Sequence, residues 1–160
     1  MTEVVLDNWD KHAIKEWRGL GFWYDMLDKG DRGEWIFHGS KTGFNNFVKS
    51  LNAYVNDPRN KELSEHEHYG PYSYLKVMTW DKPVIAKDYF AGTLPDIERL
   101  ADLISQKLEN SKEGDVFTVD KEYGVENSAS ATFFIEAEGF DPISLDEQLF
   151  SKVKQLGTKD

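Results

Sequence analysis

Two apolar stripes at helical spacing constrain this chain more than any other feature. Phe44, Phe47, Val48, Leu51, Tyr54 and Val55 recur at three- and four-residue steps, which sets them on one side of a 3.6-residue helix. Ile97, Leu100, Ala101, Ile104 and Leu108 do the same. Each stripe is bounded by residues that start or stop helices. Ser40 or Thr42 caps the first, and Asn56-Asp57-Pro58 ends it, because proline has no amide to continue the ladder. Thr93-Leu94-Pro95-Asp96 opens the second with a capping hydroxyl, an early proline and an acid facing the helix dipole; residues 110–114 close it. Two one-sided helices must bury their stripes against something else.

Strand patterns supply that surface. Glu34-Trp35-Ile36-Phe37-His38 is short and aromatic and ends at Gly39, where the first helix begins. Residues 72–80 alternate, with Tyr72, Tyr74, Lys76, Met78 and Trp80 on one side and Leu75, Val77 and Thr79 on the other. Both sides carry apolar bulk, which predicts a central strand. Residues 116–119 and 131–137 predict a hairpin joined by a polar stretch containing Gly124, and residues 83–86 a short extra strand. In the first 30 residues, a strand over 21–27 can turn through Asp28-Lys29-Gly30-Asp31-Arg32-Gly33 into residues 34–38, and a helix through 13–20 is compatible as well. Trp35 and Trp80 are expected in the core; Trp9, Trp17 and Trp23 pin the N-terminal region to the body or line a groove. The expectation is an α+β domain: a mixed, mostly antiparallel sheet with two helices on one face, in a split βαβ, ferredoxin-like order. One domain over residues 1–150 and a flexible polar tail over 151–160 complete it.

Composition bounds the chemistry. A chain of 160 residues with 39% hydrophobic and 14% aromatic content can bury a real core. It has no cysteine, which removes disulfides, thiolate metal sites and cysteine nucleophiles. No apolar run approaches a membrane span, and Met1-Thr2-Glu3-Val4-Val5-Leu6-Asp7 has neither the basic start nor the apolar stretch of a secretory leader. A cytoplasmic location is expected. The net charge of −10 argues against nucleic acid or anionic membrane as a partner. Residues 96–147 hold 14 acids against 4 bases, while the remainder holds 15 of each, so the whole imbalance lies in the C-terminal third. Such a segment is either a solvated face or a surface that meets a basic partner.

The chemical motifs are few. Ser64-Glu65-His66-Glu67-His68-Tyr69-Gly70-Pro71-Tyr72 is the most distinctive segment. Two histidines two apart project to one side of an extended chain, so His66 and His68, with His38 as a third imidazole and Glu65 or Glu67 as oxygen donors, form a candidate metal set. The H-E-x-x-H spacing is absent, and the simpler reading is a surface loop. Tyr69, Tyr72 and Tyr74 are residues of the kind that anchor interfaces. Gly39-Ser40-Lys41-Thr42-Gly43 lacks the spacing of a phosphate loop and is explained by the helix cap. No G-x-S-x-G elbow exists.

The histidine–tyrosine run, followed by Tyr74-Leu75-Lys76 and Met78-Thr79-Trp80, is preceded by His38-Gly39-Ser40 and Gly43-Phe44 and followed by Gly92-Thr93-Leu94. Together these resemble a family of small bacterial immunity proteins from polymorphic toxin systems, over about residues 35–108. The resemblance implies a cytoplasmic, non-enzymatic α+β protein that neutralises a cognate toxin domain by binding it. It implies no catalytic residue and no cofactor. The expected contacts are His66, His68, Tyr69 and Tyr72 with Asp120, Glu122 and Glu126, facing a basic toxin. Two rivals stand beside it: a small metal-dependent hydrolase using His66, His68 and His38, and a regulatory domain that self-associates as a homodimer.

Overall fold

A computed structural model describes residues 5–63, 66–72 and 74–157. In chain order the elements are α1 (Asn8–Leu20), β1 (Phe22–Asp28), β2 (Gly33–Gly39), α2 (Lys41–Asn56), β3 (His66–Tyr69), β4 (Leu75–Thr79), β5 (Val84–Ile85), β6 (Phe90–Gly92), α3 (Leu94–Glu109), β7 (Val116–Val119), β8 (Ala129–Ile135) and α4 (Glu147–Gly157). Short 3-10 turns occupy Pro58–Lys61 and Pro142–Leu145. The fold is α+β, as expected.

The caps act where the sequence places them. The Ser40 hydroxyl accepts from Gly43 N–H at 3.0 Å, and Thr93 and Asp96 form a reciprocal capping box at 3.1 Å each way. Asp7 and Asp10 make a second such box at the head of α1. Each satisfies amides that a helix start leaves open, a contribution of about 1 kcal/mol apiece.

The strands do not form the single ferredoxin-like sheet. They form two mixed four-stranded sheets, ordered β1-β2-β8-β7 and β3-β4-β6-β5. Within each, the two central strands run parallel and the outer pairs antiparallel. The sheets are nested: the chain lays down β1 and β2, builds the whole second sheet, and returns with β7 and β8 to close the first. A seam joins them, where Ser128 N–H donates to the Ile85 carbonyl (3.0 Å) and Trp35 Nε1 to the Ala86 carbonyl (2.8 Å). The simple picture of two helices on one sheet face also gives way. α2 and α3 pack against each other, α2 touching β2 and α3 touching β6 and β7, while α1 and α4 lie elsewhere.

The core is aromatic. Phe37 on β2 stacks on Phe133 of β8 with centroids 4.6 Å apart and lies between Phe47 of α2 and Phe90 of β6. Rings at such distances add to the free energy of burial. Alternation on β2 sends Trp35 and Phe37 inward and Glu34, Ile36 and His38 outward. At one point the packing leaves no room for a side chain: a Cβ on Gly43 would run into the Gly21 carbonyl oxygen, so the start of α2 sits directly on the turn between α1 and β1.

Three expectations need correction. Trp80 lies just beyond β4 and is 39% exposed, so it is not a core residue. β4 is interior to its sheet, but only its Leu75, Val77 and Thr79 face is buried. Residues 151–157 are not a tail; they continue α4, whose Leu149 is buried and whose Val153 packs on the core. Residues 158–160 of that expected tail, and Ser64, Glu65 and Ser73, lie outside the described residues.

Candidate binding groove

The histidine–tyrosine block does not fold into one patch. His66 and His68 lie on β3, an edge strand, with ring centroids 4.8 Å apart on its exposed side. Period-two alternation turns Glu67 and Tyr69 to the other side. Tyr69 is largely covered, and burial pushes its phenol well above the ordinary value. Gly70 then takes a left-handed turn (φ +82°), which brings its bare Cα against the Tyr24 ring and redirects the chain before Tyr72.

Asp120, Glu122 and Glu126 stand elsewhere. They belong to the β7–β8 connection, which adjoins β5 through the bond from Ile85 N–H to Asn127 Oδ1 (2.8 Å). β3 and β5 are opposite edges of the same sheet, about three strand spacings or roughly 15 Å apart. Each acid is already paired: Asp120 with Arg32 (3.0 Å), Glu122 with Lys107 (3.2 Å) and Glu126 with Lys82 (2.6 Å). The expected composite surface of histidines, tyrosines and these acids is therefore split.

His38 is engaged too. It stacks on Phe134 (4.5 Å) and its Nδ1 lies 3.0 Å from Glu136 Oε1. Among the described residues no group of three or more His, Asp or Glu side chains stands close enough to share a metal ion, so His38, His66 and His68 do not assemble the ligand set of the hydrolase reading. At the head of α2, Glu138 Oε2 accepts from Thr42 N–H (3.4 Å) and Ser40 from Gly43, so the protein's own oxygens serve amides that a phosphate would need.

What the fold does build is a groove beside β1. Its larger half, a cavity of about 630 Å³, has walls from Trp17, Trp23, Tyr24, Tyr72 and Tyr74 and a rim from the head of α4. A second cavity of about 460 Å³ continues past Tyr24, Asp25 and Met26 toward His68, Lys76 and Lys87. Tyr74 stacks on Tyr72 (6.0 Å), and Trp9, outside the lining of both cavities, tilts against Tyr72 (5.9 Å). Tyr74 is 67% exposed, Trp9 48% and Leu27 43%. Apolar rings left this open, and next to one another, mark interaction surfaces.

A buried carboxylate fixes the groove's geometry. Asp146, only 7% exposed, accepts from Trp17 Nε1 (3.0 Å), from the Tyr72 hydroxyl, and through its other oxygen from Leu149 N–H (3.2 Å). One side chain thus ties α1, the turn before β4 and the first turn of α4. Tyr72 is pushed up by burial and then by its bond to Asp146, because ionising the phenol would set two anions together. Tyr24, forming the floor, donates to the Tyr69 carbonyl, and burial pushes it up to about 12. α4 is held from its far side by Lys152, which reaches both oxygens of Asp10 at 3.0 Å.

The groove's larger half is anionic. Asp25, Asp146 and Glu147 line it together with His38, and no lysine or arginine does. Asp25 and Glu147 are exposed and, among the described residues, make no ion pair. The sequence signal for this site was dispersed: Trp9, Trp17 and Trp23 were recognisable as groove candidates, while Asp25 and Asp146 had no distinguishing neighbours. No family model, curated protein or solved structure matches the chain.

Proposed function

We propose that this chain is a non-catalytic binding protein of the immunity type, neutralising a cognate bacterial toxin domain by occupying part of its surface. The observation that carries the reading is the groove: exposed Tyr74, with exposed Asp25 and Glu147 that make no ion pair among the described residues, and no lysine or arginine lining its larger half. Aromatic walls beside exposed carboxylates suit lysine and arginine side chains, which gain from both the charge and the ring face. A toxin that grips nucleic acid presents such side chains. The contact region moves from the expected seven residues to the groove, keeping Tyr72 in its wall and His68 at its far end. Asp120, Glu122 and Glu126 contribute long-range potential.

Co-expression tests the reading. The toxin encoded beside this chain should lose its lethality when the wild-type protein is present and regain it with Trp9→Ala/Tyr74→Ala. Lethality undiminished by abundant, folded wild-type protein sinks the reading.

A further inference from the structure

We infer that the groove receives its partner as an added β-strand: an extended, arginine- or lysine-bearing segment of the partner protein pairs with the free edge of β1. The inference rests on the binding reading above, but not on the identity of the toxin.

Among the described residues β1 pairs with β2 along one edge and with no strand along the other. The pairing register shows which of its backbone groups face outward. At the hairpin end Lys29 N–H donates to the Arg32 carbonyl (2.8 Å). In an antiparallel ladder bonded pairs alternate with non-bonded ones, so Leu27–Glu34, Asp25–Ile36 and Trp23–His38 are the bonded pairs. Tyr24, Met26 and Asp28 therefore turn their amides and carbonyls away from β2. The Met26 amide confirms this parity: it donates to the side chain of Asp25 (2.8 Å) and not to β2. The open edge borders the groove: Trp23, Tyr24, Asp25 and Leu27 line its larger cavity, and Tyr24, Asp25 and Met26 the second.

An unguarded edge pairs with any strand it meets. Here Asp25 is the guard, holding the Met26 amide with its own carboxylate. The same carboxylate belongs to the anionic half of the groove. A partner cation that draws Asp25 outward releases the Met26 amide for an incoming carbonyl, so the charge of the segment and its backbone pairing are read in one event. Neutral or acidic strands leave the guard in place. Side chains alternating from the added strand then meet the Trp23 and Tyr74 walls.

The experiment uses the full chain and an eight-residue probe peptide alternating arginine with valine and threonine. Hydrogen exchange read by NMR should slow at least tenfold at the Tyr24 and Met26 amides when the probe is added. Methylating alternate backbone nitrogens of the probe should weaken binding at least tenfold, and so should replacing its arginines by threonine. With Asp25→Ala the arginine and threonine probes should bind within about twofold of each other. Equal binding of the methylated probe, protection confined to other strands, or no binding of the arginine probe overturns strand addition. A homodimer already protecting those amides without peptide assigns the edge to a second copy and overturns it too. None of these results touches the co-expression test, so failure of this inference and failure of the binding reading are distinguishable.

Discussion

The groove beside β1 and the acidic connection between β7 and β8 are both charged and both exposed, yet they are built on opposite terms. In the connection every expected contact acid has a cation: Arg32, Lys107 or Lys82. Its backbone is gripped as well, since Arg99 donates to the Glu122 and Tyr123 carbonyls at 2.7 Å each. In the groove the exposed acids Asp25 and Glu147 have no such partner among the described residues, and the Tyr74 ring is 67% exposed. The acids of the C-terminal third draw on cations from the rest of the chain, as Asp141 does on Arg18 (2.9 Å). A charge excess along the sequence is thus not the same as charge available to a partner.

The comparison breaks most visibly at Asp146. Asp146→Ala leaves the buried Trp17 donor and the partly buried Tyr72 hydroxyl without their acceptor, and hydrogen bonds to a charged group are the costly ones to lose. Chemical denaturation should show a loss of about 3 kcal/mol, and the groove wall should loosen with it. A smaller loss than the connection mutants show would overturn the assignment of Asp146 as the organising group.

Alkali separates the regions next. Tyr24 is raised from its ordinary range to about 12. The sign follows from linkage: the folded state holds the neutral phenol, so this stability is complete below pH ~10 and is lost as pH rises toward the folded value. The Tyr24 ring should keep the NMR signature of a neutral phenol until unfolding begins above pH ~10. A Tyr24 phenol that ionises in the intact protein at pH ~10 would contradict a closed groove floor.

Tyr74→Ala sharpens the functional side. The ring is exposed, so stability should stay within about 0.5 kcal/mol. Partner affinity, measured by calorimetry, should fall by about tenfold to a hundredfold, as at an interface anchor. The matching change in the connection, Asp120→Asn with Glu122→Gln and Glu126→Gln, should alter stability by only about 1 kcal/mol, because exposed ion pairs contribute little. It should slow association at low salt and leave dissociation nearly unchanged. The reverse ranking of the two variants would move the contact surface to the connection.

The smallest effect concerns the far anchor of α4. Lys152 holds the Asp10 carboxyl below its ordinary range, chiefly by direct hydrogen bonding. That contribution is present above the unfolded carboxylate pKa and disappears as pH falls through the lowered folded value. Lys152→Met should therefore raise the acid-unfolding midpoint slightly, as circular dichroism across pH would record.

What was legible in the sequence was local. The stripes of α2 and α3, with Ser40 and Thr93 as caps, need only neighbours within a few turns, and the β1–β2 and β7–β8 hairpins are likewise set by adjacent residues. The division into two sheets was not legible, because it depends on β2 choosing β8 and β4 choosing β6 in parallel, and no local signal encodes a parallel neighbour. His66, His68, Tyr69 and Tyr72 were grouped by nearness in sequence, although alternation already sends Tyr69 away from the two histidines and Gly70-Pro71 carried the signal that the strand stops. α4 was missed behind its polar residues, although Leu149 and Val153 stand four apart and Asp146 precedes them as a cap. The groove itself required tertiary structure, since it collects residues from α1, β1, the turn before β4 and α4.

The nesting of one sheet inside the other carries a consequence for synthesis. Roughly 90 residues separate the end of β2 at Gly39 from the start of β8 at Ala129, which a ribosome takes about 5 to 20 s to add. For an interval of that length after it emerges, the hairpin of β1 and β2 lacks β8 beside Trp35 and Phe37 and has two unpaired flanks instead of one. Newborn chains crowded on one message are thus most prone to stick to each other at this hairpin, and a delay placed in the message before β8 prolongs the risk.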